Sequence, residues 1–319
     1  MKALQFTNGQ VNIAEVPVPS RDDEALVRVL LSGICNTDLE IAKGYAGFEG
    51  TLGHEFVGVV EKAPARSGLE GKRVVGEINA GCGKCPLCRA KDPRHCLARS
   101  VLGIHGRDGA HAEFLSLPTE NLVPVPDTVS DERAVFIEPL AAAYGIYEQV
   151  PLALHTRVAI IGDGKLGLLT ALSYGATSSS CLLVGKHKEK LAIAEAAGVA
   201  TCLLTELDTT AHRTFDVVVE ASGSESGFAT ALDLVRPRGK IVLKSTFSGE
   251  PKWAASRVVV DEITIVGSRC GRFEPALKLL ERGKLDLSPM ISDEFRLADG
   301  VAAMRRAAEP GVLKVFLRP

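Results

Sequence analysis

The sequence contains no long hydrophobic run. Nowhere do about 18 apolar residues follow one another without Gly, Pro or charge, so a membrane-spanning helix is not expected. An excess of charge of one sign is also missing. The 37 Lys and Arg residues against 39 Asp and Glu give a formal net charge of −2, which argues against nucleic acid or an anionic membrane as a partner. The first residues lack the apolar stretch of a secretion signal. These absences predict a soluble protein of the cytoplasm.

Cysteine is too scarce for a disulfide scaffold, with eight residues in 319. In a chain without an export signal, clustered cysteines indicate metal ligation. Four thiolates at the spacing found here can close a tetrahedral zinc shell with no open position, which is typical of a structural zinc site. The alternative, surface cysteines gathered by chance, requires half of all cysteines in one loop. The four candidate ligands are Cys82, Cys85, Cys88 and Cys96.

The length of 319 residues predicts about two domains, at roughly 150 residues each. The first third alternates short β-type runs with clusters of Gly, Pro and charge, which is the pattern of strands and turns. From Arg157 onward, strand-like runs alternate with helical periodicity, and this predicts βαβ units and a parallel, doubly wound α/β sheet. The predicted strands are 158–161, 181–184, 201–204, 216–219, 240–243 and 263–266.

The last part of the chain has helical periodicity near 275–282 and 299–308 and a final apolar run at 312–317, but no sheet of its own. We therefore predict that it returns to complete the amino-terminal domain. The expected division is a zinc-binding domain over 1–139, completed by 269–319, and a dinucleotide-binding domain over 140–268.

A Gly-x-Gly-x-x-Gly turn follows the first predicted strand and leads into a helix: Gly162-Asp163-Gly164-Lys165-Leu166-Gly167. The first glycine makes the tight turn, the second lets the backbone approach a pyrophosphate, and the third lets helix and strand pack closely. The helix N-terminus offers free N–H groups to the phosphates. Ser222, after the fourth strand, is a further candidate for cofactor contact. Lys314 could reach the pyrophosphate or could be a solvated strand residue.

The end of the second predicted strand indicates which nucleotide is bound, because an acid about 20 residues after the glycine turn usually grips the ribose hydroxyls. Here the strand is followed instead by Gly185-Lys186-His187-Lys188. Cationic side chains favour a 2′-phosphate, so NADP(H) is the preferred cofactor and NAD(H) the possible one. In the alternative interpretation, Lys186 and Lys188 begin a solvated helix and pair with Glu189 or Glu195.

Four further motifs stand beside the glycine turn and the four cysteines: Gly33-Ile34-Cys35-Asn36-Thr37-Asp38, Gly53-His54-Glu55, Ile137-Glu138-Pro139-Leu140 and Val219-Glu220-Ala221-Ser222-Gly223. With these motifs the chain resembles the zinc-containing alcohol dehydrogenases of the medium-chain dehydrogenase/reductase family over essentially its whole length. The resemblance implies a Rossmann-type doubly wound sheet, a β-rich GroES-like catalytic domain, and an active site in the cleft beside the nucleotide domain.

The resemblance also implies a catalytic zinc, so that each subunit would bind one catalytic and one structural zinc ion. Its ligands would be Cys35, His54 and Glu138, three protein groups that leave a position open. Glu55 would lie in or near the zinc shell and could exchange with water. Asp38 would orient His54 through the other ring nitrogen. In having a carboxylate where simple ethanol-oxidising members usually have a second cysteine ligand, the chain resembles the polyol, sugar and threonine dehydrogenase branches of the family.

By the same resemblance, Thr37 accepts the proton of the bound alcohol. Many relatives have a relay histidine three residues later, whereas this chain has Glu40, which either relays protons or is simply exposed. The implied reaction is hydride transfer between a secondary or polyol-type alcohol, or its carbonyl, and the nicotinamide. A homodimer or homotetramer is implied as well.

Two other functions stay open on the sequence alone. One is a zinc-independent enone or quinone reductase with the same fold, which the presence of all three ligand residues disfavours. The other is a non-catalytic NADP(H)-binding protein that keeps the structural zinc, for which the missing relay histidine is a weak argument.

Overall fold

The computed structural model describes residues 1–64, 67–153, 155–177, 180–245 and 254–319. The chain forms two compact units. The first comprises Met1–Glu138 and Met290–Pro319, and the second comprises Pro139–Pro289. Not one of the described helices combines the length and the apolar character that a membrane span requires.

The first unit begins with strands joined by short helices. In chain order these elements are β1 (Lys2–Thr7), β2 (Gln10–Glu15), β3 (Ala25–Ile34), α1 (Asn36–Ile41), β4 (Gly50–Thr51), β5 (Glu55–Lys62), β6 (Arg73–Gly76), β7 (Asn79–Ala80), α2 (Pro86–Arg89), β8 (Ser100–Val101), β9 (Phe114–Leu117), β10 (Leu122–Pro124) and α3 (Asp131–Ala134).

The second unit alternates strands and helices after two opening helices, the first of which begins at the unit boundary. Its elements are α4 (Ile137–Tyr144), α5 (Ile146–Gln149), β11 (Val158–Ile161), α6 (Lys165–Ala176), β12 (Cys181–Gly185), α7 (Lys188–Ala196), β13 (Ala200–Leu203), β14 (Phe215–Glu220), α8 (Glu225–Leu234), β15 (Val235–Leu243), α9 (Ala255–Val260), β16 (Thr264–Gly267) and α10 (Phe273–Glu281). The chain then returns to the first unit with β17 (Ile291–Arg296), α11 (Gly300–Ala307) and β18 (Lys314–Arg318).

The main sheet of the first unit has seven strands in the order β10-β6-β5-β3-β18-β17, and β9 also pairs with β3. In β3, buried residues alternate with less buried ones over the first six positions, and the last four residues are all buried. The antiparallel register places Gly33 opposite Glu55 of β5 and opposite Phe316 of β18. The end of β3 therefore brings the segment of Cys35, the start of β5 and the start of β18 to one place in the sheet.

The returning tail contributes to the core of this unit as well as to its sheet. Leu297, Met304 and Leu317 pack in one buried cluster with Leu4 and Ile34. The predicted return of the last apolar run is therefore observed, since β18 pairs with β3.

The second unit contains a six-stranded parallel sheet in the order β13-β12-β11-β14-β15-β16. All six predicted strands are present, with bounds that differ from the predicted ones by a few residues. The order reverses between β12 and β14 around β11, which is the doubly wound arrangement whose ligands bind at the carboxyl ends of the strands. Those ends bring together Ile161, Gly185 and Glu220.

The boundary of the second unit corrects the predicted division. The sequence pattern assigns 269–289 to the first domain, whereas the structure places this segment in the second unit. The physical reason is a close backbone approach within that unit: a Cβ added to Gly271 would meet the Ala141 carbonyl oxygen at 1.9 Å and the Gly145 α-carbon at 2.9 Å. Helical periodicity identifies α10 as amphipathic but does not show against which partner it packs.

Candidate active site and metal centres

Asp38 links two of the predicted zinc-ligand segments. It is fully buried, and its Oδ2 accepts the backbone N–H of Cys35, which caps α1, at 2.7 Å. Its other oxygen, Oδ1, accepts the backbone N–H of Gly53 at 3.1 Å. One carboxylate therefore fixes the backbone that carries Cys35 and the backbone directly before His54.

Two buried imidazoles face the same carboxylate. His54 Nδ1 lies 3.5 Å from Asp38 Oδ1, and His111 Nε2 lies 3.6 Å from Asp38 Oδ2. Burial alone would raise the pKa of Asp38, but the facing rings of His54 and His111 hold it well below its usual range. Ser32 Oγ lies 2.9 Å from His111 Nδ1, although the two residues are 79 positions apart. No local sequence pattern predicts this role for His111.

Cys35, His54 and Glu55 form a group of possible metal ligands. Their ligand atoms all lie within 4.8 Å of one another. Zinc–ligand bonds of about 2.0–2.3 Å place tetrahedral ligand atoms roughly 3.3–3.8 Å apart, which lies within this limit. Glu55 Oε1 is buried with no hydrogen-bond partner among the described residues. The donor set and this unsatisfied oxygen fit a zinc ion.

The charges around His54 also favour a cation. Burial lowers the pKa of His54, but the facing Asp38 carboxylate and Cys35 outweigh it and raise that pKa well above its ordinary value. The ring thus lies between the Asp38 carboxylate and the Cys35 sulfur. A bound metal ion would supply positive charge at this place.

Lys314 is the unexpected member of this site. Its side chain is 1% exposed, and its Nζ donates to Oε2 of the fully buried Glu55. It also lies over the Phe136 ring, 5.6 Å from the centroid. Burial lowers the pKa of Lys314, but Glu55 and Cys35 raise it above its usual value. Lys314 is therefore neither the pyrophosphate contact nor the solvated residue suggested by the sequence, because the pairing of β18 with β3 buries it beside Glu55.

Gly33 makes room for this ion pair. A Cβ at position 33 would meet Glu55 Oε2 at 2.7 Å and Lys314 Cδ at 3.3 Å. The glycine of the first motif thus has a packing role that the motif alone does not disclose.

Glu138 faces the same region but lies outside the tight ligand group. Burial, together with the nearby carboxylates of Glu55 and Glu77, raises the pKa of Glu138 to about 7 against the effects of His54 and Lys314. The group of mutually close ligand atoms comprises Cys35, His54 and Glu55. The structure thus brings Glu55 closer to the two other predicted ligands than Glu138.

The two predicted proton-transfer residues have different surroundings. Thr37 is partly buried, and its Oγ1 lies 3.8 Å from Cys35 Sγ. Glu40 lies on the solvent side of α1, where its carboxylate accepts a hydrogen bond from Lys43 Nζ at 2.9 Å. This geometry favours the exposed interpretation of Glu40 over the relay.

The four clustered cysteines form a second metal-ligand group. The sulfur atoms of Cys82, Cys85, Cys88 and Cys96 all lie within 4.8 Å of one another. Backbone hydrogen bonds from Lys84 and Cys85 lower the pKa of the Cys82 thiol to about 6, which favours the thiolate that binds metal. The turn requires Gly81, since a Cβ there would meet Cys88 Sγ at 2.6 Å. Four sulfurs in this arrangement fit a closed tetrahedral zinc site.

The glycine turn borders a cavity of about 320 Å³ within the second unit. Gly162 has a φ of +111°, and Gly167 leaves no space for a Cβ, which would meet the Gly162 oxygen at 1.8 Å. Gly164, by contrast, has no neighbouring atom within 4 Å of an added Cβ and lines the cavity. The three glycines thus occupy the positions expected of a dinucleotide loop.

Most of the other predicted cofactor residues line this cavity. They are Asp163, Gly185, Lys186, His187 and Ser222, together with Lys190, which the sequence pattern did not single out. Lys165 and Leu166 open α6 and are partly buried, but the described lining does not include them. Within the described part of the chain, Lys186 and Lys188 form no ion pair with Glu189 or Glu195, and Glu195 accepts a hydrogen bond from Thr201 instead.

Comparison with known proteins identifies both units. Residues 21–127 match the family model of the alcohol dehydrogenase GroES-like domain, and residues 164–282 match that of the zinc-binding dehydrogenases. The L-threonine 3-dehydrogenase of Coxiella burnetii is 33% identical over 90% of this chain and 89% of its own length. The sorbitol dehydrogenase of Halalkalibacterium halodurans is 28% identical over 100% and 99%.

A solved structure agrees with these matches. A protein of Sinorhizobium meliloti 1021, described as a zinc-binding dehydrogenase and bound to NADP, is 28% identical to this chain and superposes with a TM-score of 0.90, covering 100% of this chain and 99% of its own.

We predict that zinc content separates the two ligand groups. The unaltered protein should contain about two zinc ions per chain. Cys35→Ser should retain the ion of the four-cysteine group, and Cys85→Ser should lose it, as measured by elemental analysis of protein purified without chelators. Cys202→Ser is the matched control, since its thiol lies outside both groups. Equal zinc loss in all three variants would contradict the assignment.

The same measurement distinguishes the two candidate carboxylate ligands. Because Glu55 lies in the tight group, Glu55→Gln should weaken zinc retention during dialysis more than Glu138→Gln does. If Glu138→Gln instead weakened zinc retention more than Glu55→Gln, Glu138 would be the carboxylate ligand.

We predict strong coupling between Lys314 and Glu55. Lys314→Met leaves a buried carboxylate without its partner, so the free energy of unfolding should fall by about 3–5 kcal/mol, and the double variant Lys314→Met/Glu55→Gln should recover most of that loss. Arg28→Met, which breaks an exposed pair with Glu61, should change stability by no more than about 1 kcal/mol. Denaturant unfolding of these proteins together with Glu55→Gln tests this. If the losses of Lys314→Met and Glu55→Gln simply add in the double variant, the pair is not coupled.

Proposed function

The chain belongs to the zinc-dependent alcohol dehydrogenases of the medium-chain dehydrogenase/reductase family, and on that premise we propose that it transfers a hydride between a secondary, polyol-type alcohol or its carbonyl and NADP(H). The observation that carries the proposal is the group formed by Cys35, His54 and Glu55 on a framework fixed by Asp38. A binding protein without catalysis would have no need of an incomplete ligand shell.

The residues that would hold the catalytic zinc are Cys35, His54 and a carboxylate, supplied by Glu55 or by Glu138. Zinc of this kind lowers the pKa of an oxygen that it binds and so favours loss of the alcohol proton. Asp38 faces Nδ1 of His54 and so orients the ring for binding through its other nitrogen, as metal-bound histidines generally require.

The hydroxyl of Thr37 is the proposed acceptor of the alcohol proton. Its position 3.8 Å from Cys35 Sγ supports this role. We leave Glu40 out of the proposed proton path because its carboxylate pairs with Lys43 at the surface. The hydride chemistry itself belongs to the nicotinamide cofactor, which the cavity beside the glycine turn would bind.

We propose NADP(H) as the preferred form of that cofactor. Lys186, His187 and Lys190 line the cavity, and cationic side chains at the end of the second strand suit a 2′-phosphate. NAD(H) is the alternative cofactor.

The substrate class rests on the family and on the names of the relatives, which are sorbitol and L-threonine dehydrogenases. We therefore propose a polyol or another secondary alcohol, in a cytoplasmic enzyme. A homodimer or homotetramer is proposed from the family resemblance alone. Light scattering tests the assembly, and a monomer mass would overturn it.

We predict zinc-dependent turnover. The zinc-loaded protein should reduce NADP⁺ with polyols or secondary alcohols, as followed by the absorbance of the reduced nicotinamide. Asp38→Asn should lower kcat/KM or zinc affinity by about 10–100-fold, because it weakens the support of His54. Cys202→Ser should leave turnover unchanged.

Cys35→Ser decides between the enzyme and its alternatives. Loss of turnover with nicotinamide binding retained supports the proposed reaction. Reduction of enones or quinones that survives this substitution would favour the zinc-independent reductase. Cofactor binding with no turnover in any variant would favour the non-catalytic protein.

A further inference from the structure

The carboxylate of Asp163 fills the space beside the end of β12. Asp163 is the second residue of the glycine turn and is 6% exposed. A Cβ added to Gly185 would meet its Oδ2 at 2.6 Å, its Cβ at 2.7 Å and its Cγ at 2.8 Å. Position 185 ends the second strand, where nucleotide-binding sheets commonly carry the acid that grips the ribose hydroxyls. While Asp163 is present, that position has room only for glycine.

The oxygens of Asp163 are directed at the turn after β12. Oδ2 accepts the backbone N–H groups of Lys186 and His187, each at 2.7 Å. His187 Nδ1 lies 3.1 Å from Oδ1 and 3.0 Å from Oδ2. Burial alone would raise the pKa of Asp163, but these hydrogen bonds lower it. The carboxylate thus stabilises the backbone of 186–187 and the ring of His187, and most of its lone pairs are already engaged.

The surrounding cavity is cationic. Lys186, His187 and Lys190 line it together with Asp163, which is the one carboxylate among its described lining residues. Lys186 and Lys190 form no ion pair with any residue in the described part of the chain. The ribose diol of NAD(H) would therefore meet no carboxylate that is free of hydrogen bonds among these lining residues. The 2′-phosphate of NADP(H) would meet the unpaired ammonium groups of Lys186 and Lys190.

We infer that Asp163 is a positioning residue for cofactor selectivity: it occupies the space of the ribose-binding acid and holds the turn 185–187 so that Lys186 and His187 face the 2′-phosphate of NADP(H). The inference rests on the proposed preference for NADP(H). It goes beyond that preference because it assigns the selectivity to a carboxylate of the glycine turn, which itself does not contact the phosphate.

Because the side chains of positions 163 and 185 would occupy the same space, the inference is tested by moving the carboxylate from position 163 to position 185. Dissociation constants for NADPH and NADH are measured by fluorescence titration in the unaltered protein, Asp163→Gly, Gly185→Asp and the double variant. Asp163→Gly should weaken NADPH by about tenfold or more, the loss typical of hydrogen bonds to a charged group, with NADH changing much less. Gly185→Asp alone should weaken both cofactors, because its side chain collides with Asp163.

The double variant Asp163→Gly/Gly185→Asp carries the decisive measurement. It should bind NADH more tightly than either single variant and should prefer NADH to NADPH, since the acid then stands at the end of β12 with space around it. The matched control is Asp216→Asn. Asp216 also accepts a backbone N–H, that of Arg157 at 2.7 Å, but lies outside the cavity lining. It should leave the ratio of the two dissociation constants unchanged, and thermal unfolding of each variant verifies folding.

The outcomes separate the inference from the proposed preference. The ratio in the unaltered protein tests the preference for NADP(H), whereas the change of that ratio between variants tests the role of Asp163. An unchanged ratio in Asp163→Gly, or a double variant that binds NADH no better than Gly185→Asp, would overturn the inference. A selective loss of NADH in Asp163→Gly would also overturn it, because Asp163 would then grip the diol itself.

Discussion

The active-site unit depends on one buried carboxylate that satisfies two backbone donors. Asp38 accepts the N–H of Cys35 and the N–H of Gly53, which belong to segments separated by α1 and the short strand β4. A buried carboxylate is stable only when hydrogen bonds and charges compensate its desolvation. The hydrogen bonds that compensate Asp38 come from the backbone beside the proposed zinc ligands Cys35 and His54. The same bonds therefore offset the desolvation of Asp38 and align those ligands.

The second constraint is the charge balance of the buried pair Glu55–Lys314 in the same unit. Glu55 and Lys314 are both buried, and each would be costly without the other. Their pairing depends on the return of the chain to the first unit. Lys314 follows the whole second unit in the sequence, and the pairing of β18 with β3 places it beside Glu55. The tail is therefore part of the electrostatics of the site and not merely an edge of its sheet. Glu55 keeps one oxygen unsatisfied, which is the atom available to a metal ion.

The parts of the structure that sequence could predict are those encoded locally. The six parallel strands follow from apolar runs that alternate with helical periodicity, and the four-cysteine group follows from spacing within one loop. The dispersed ligands Cys35 and His54 could be joined only by family resemblance. The roles of Lys314 and His111 escaped prediction because their partners lie 259 and 79 positions away. Residues 269–289 were misassigned for a related reason, since a helical pattern does not specify its packing partner.

The two units use the same physical device in different settings. In each, a buried aspartate accepts backbone N–H groups and faces an imidazole: Asp38 with His54, and Asp163 with His187. A carboxylate used in this way aligns its neighbours, with its own oxygens turned to the backbone and not to a ligand. The fixed dipoles and charges are then in place before any cofactor or substrate arrives, so less reorganisation is needed on binding. This explains why both aspartates are buried: solvent at the carboxylate would compete for the backbone N–H groups and loosen the geometry of the residues that the carboxylate holds.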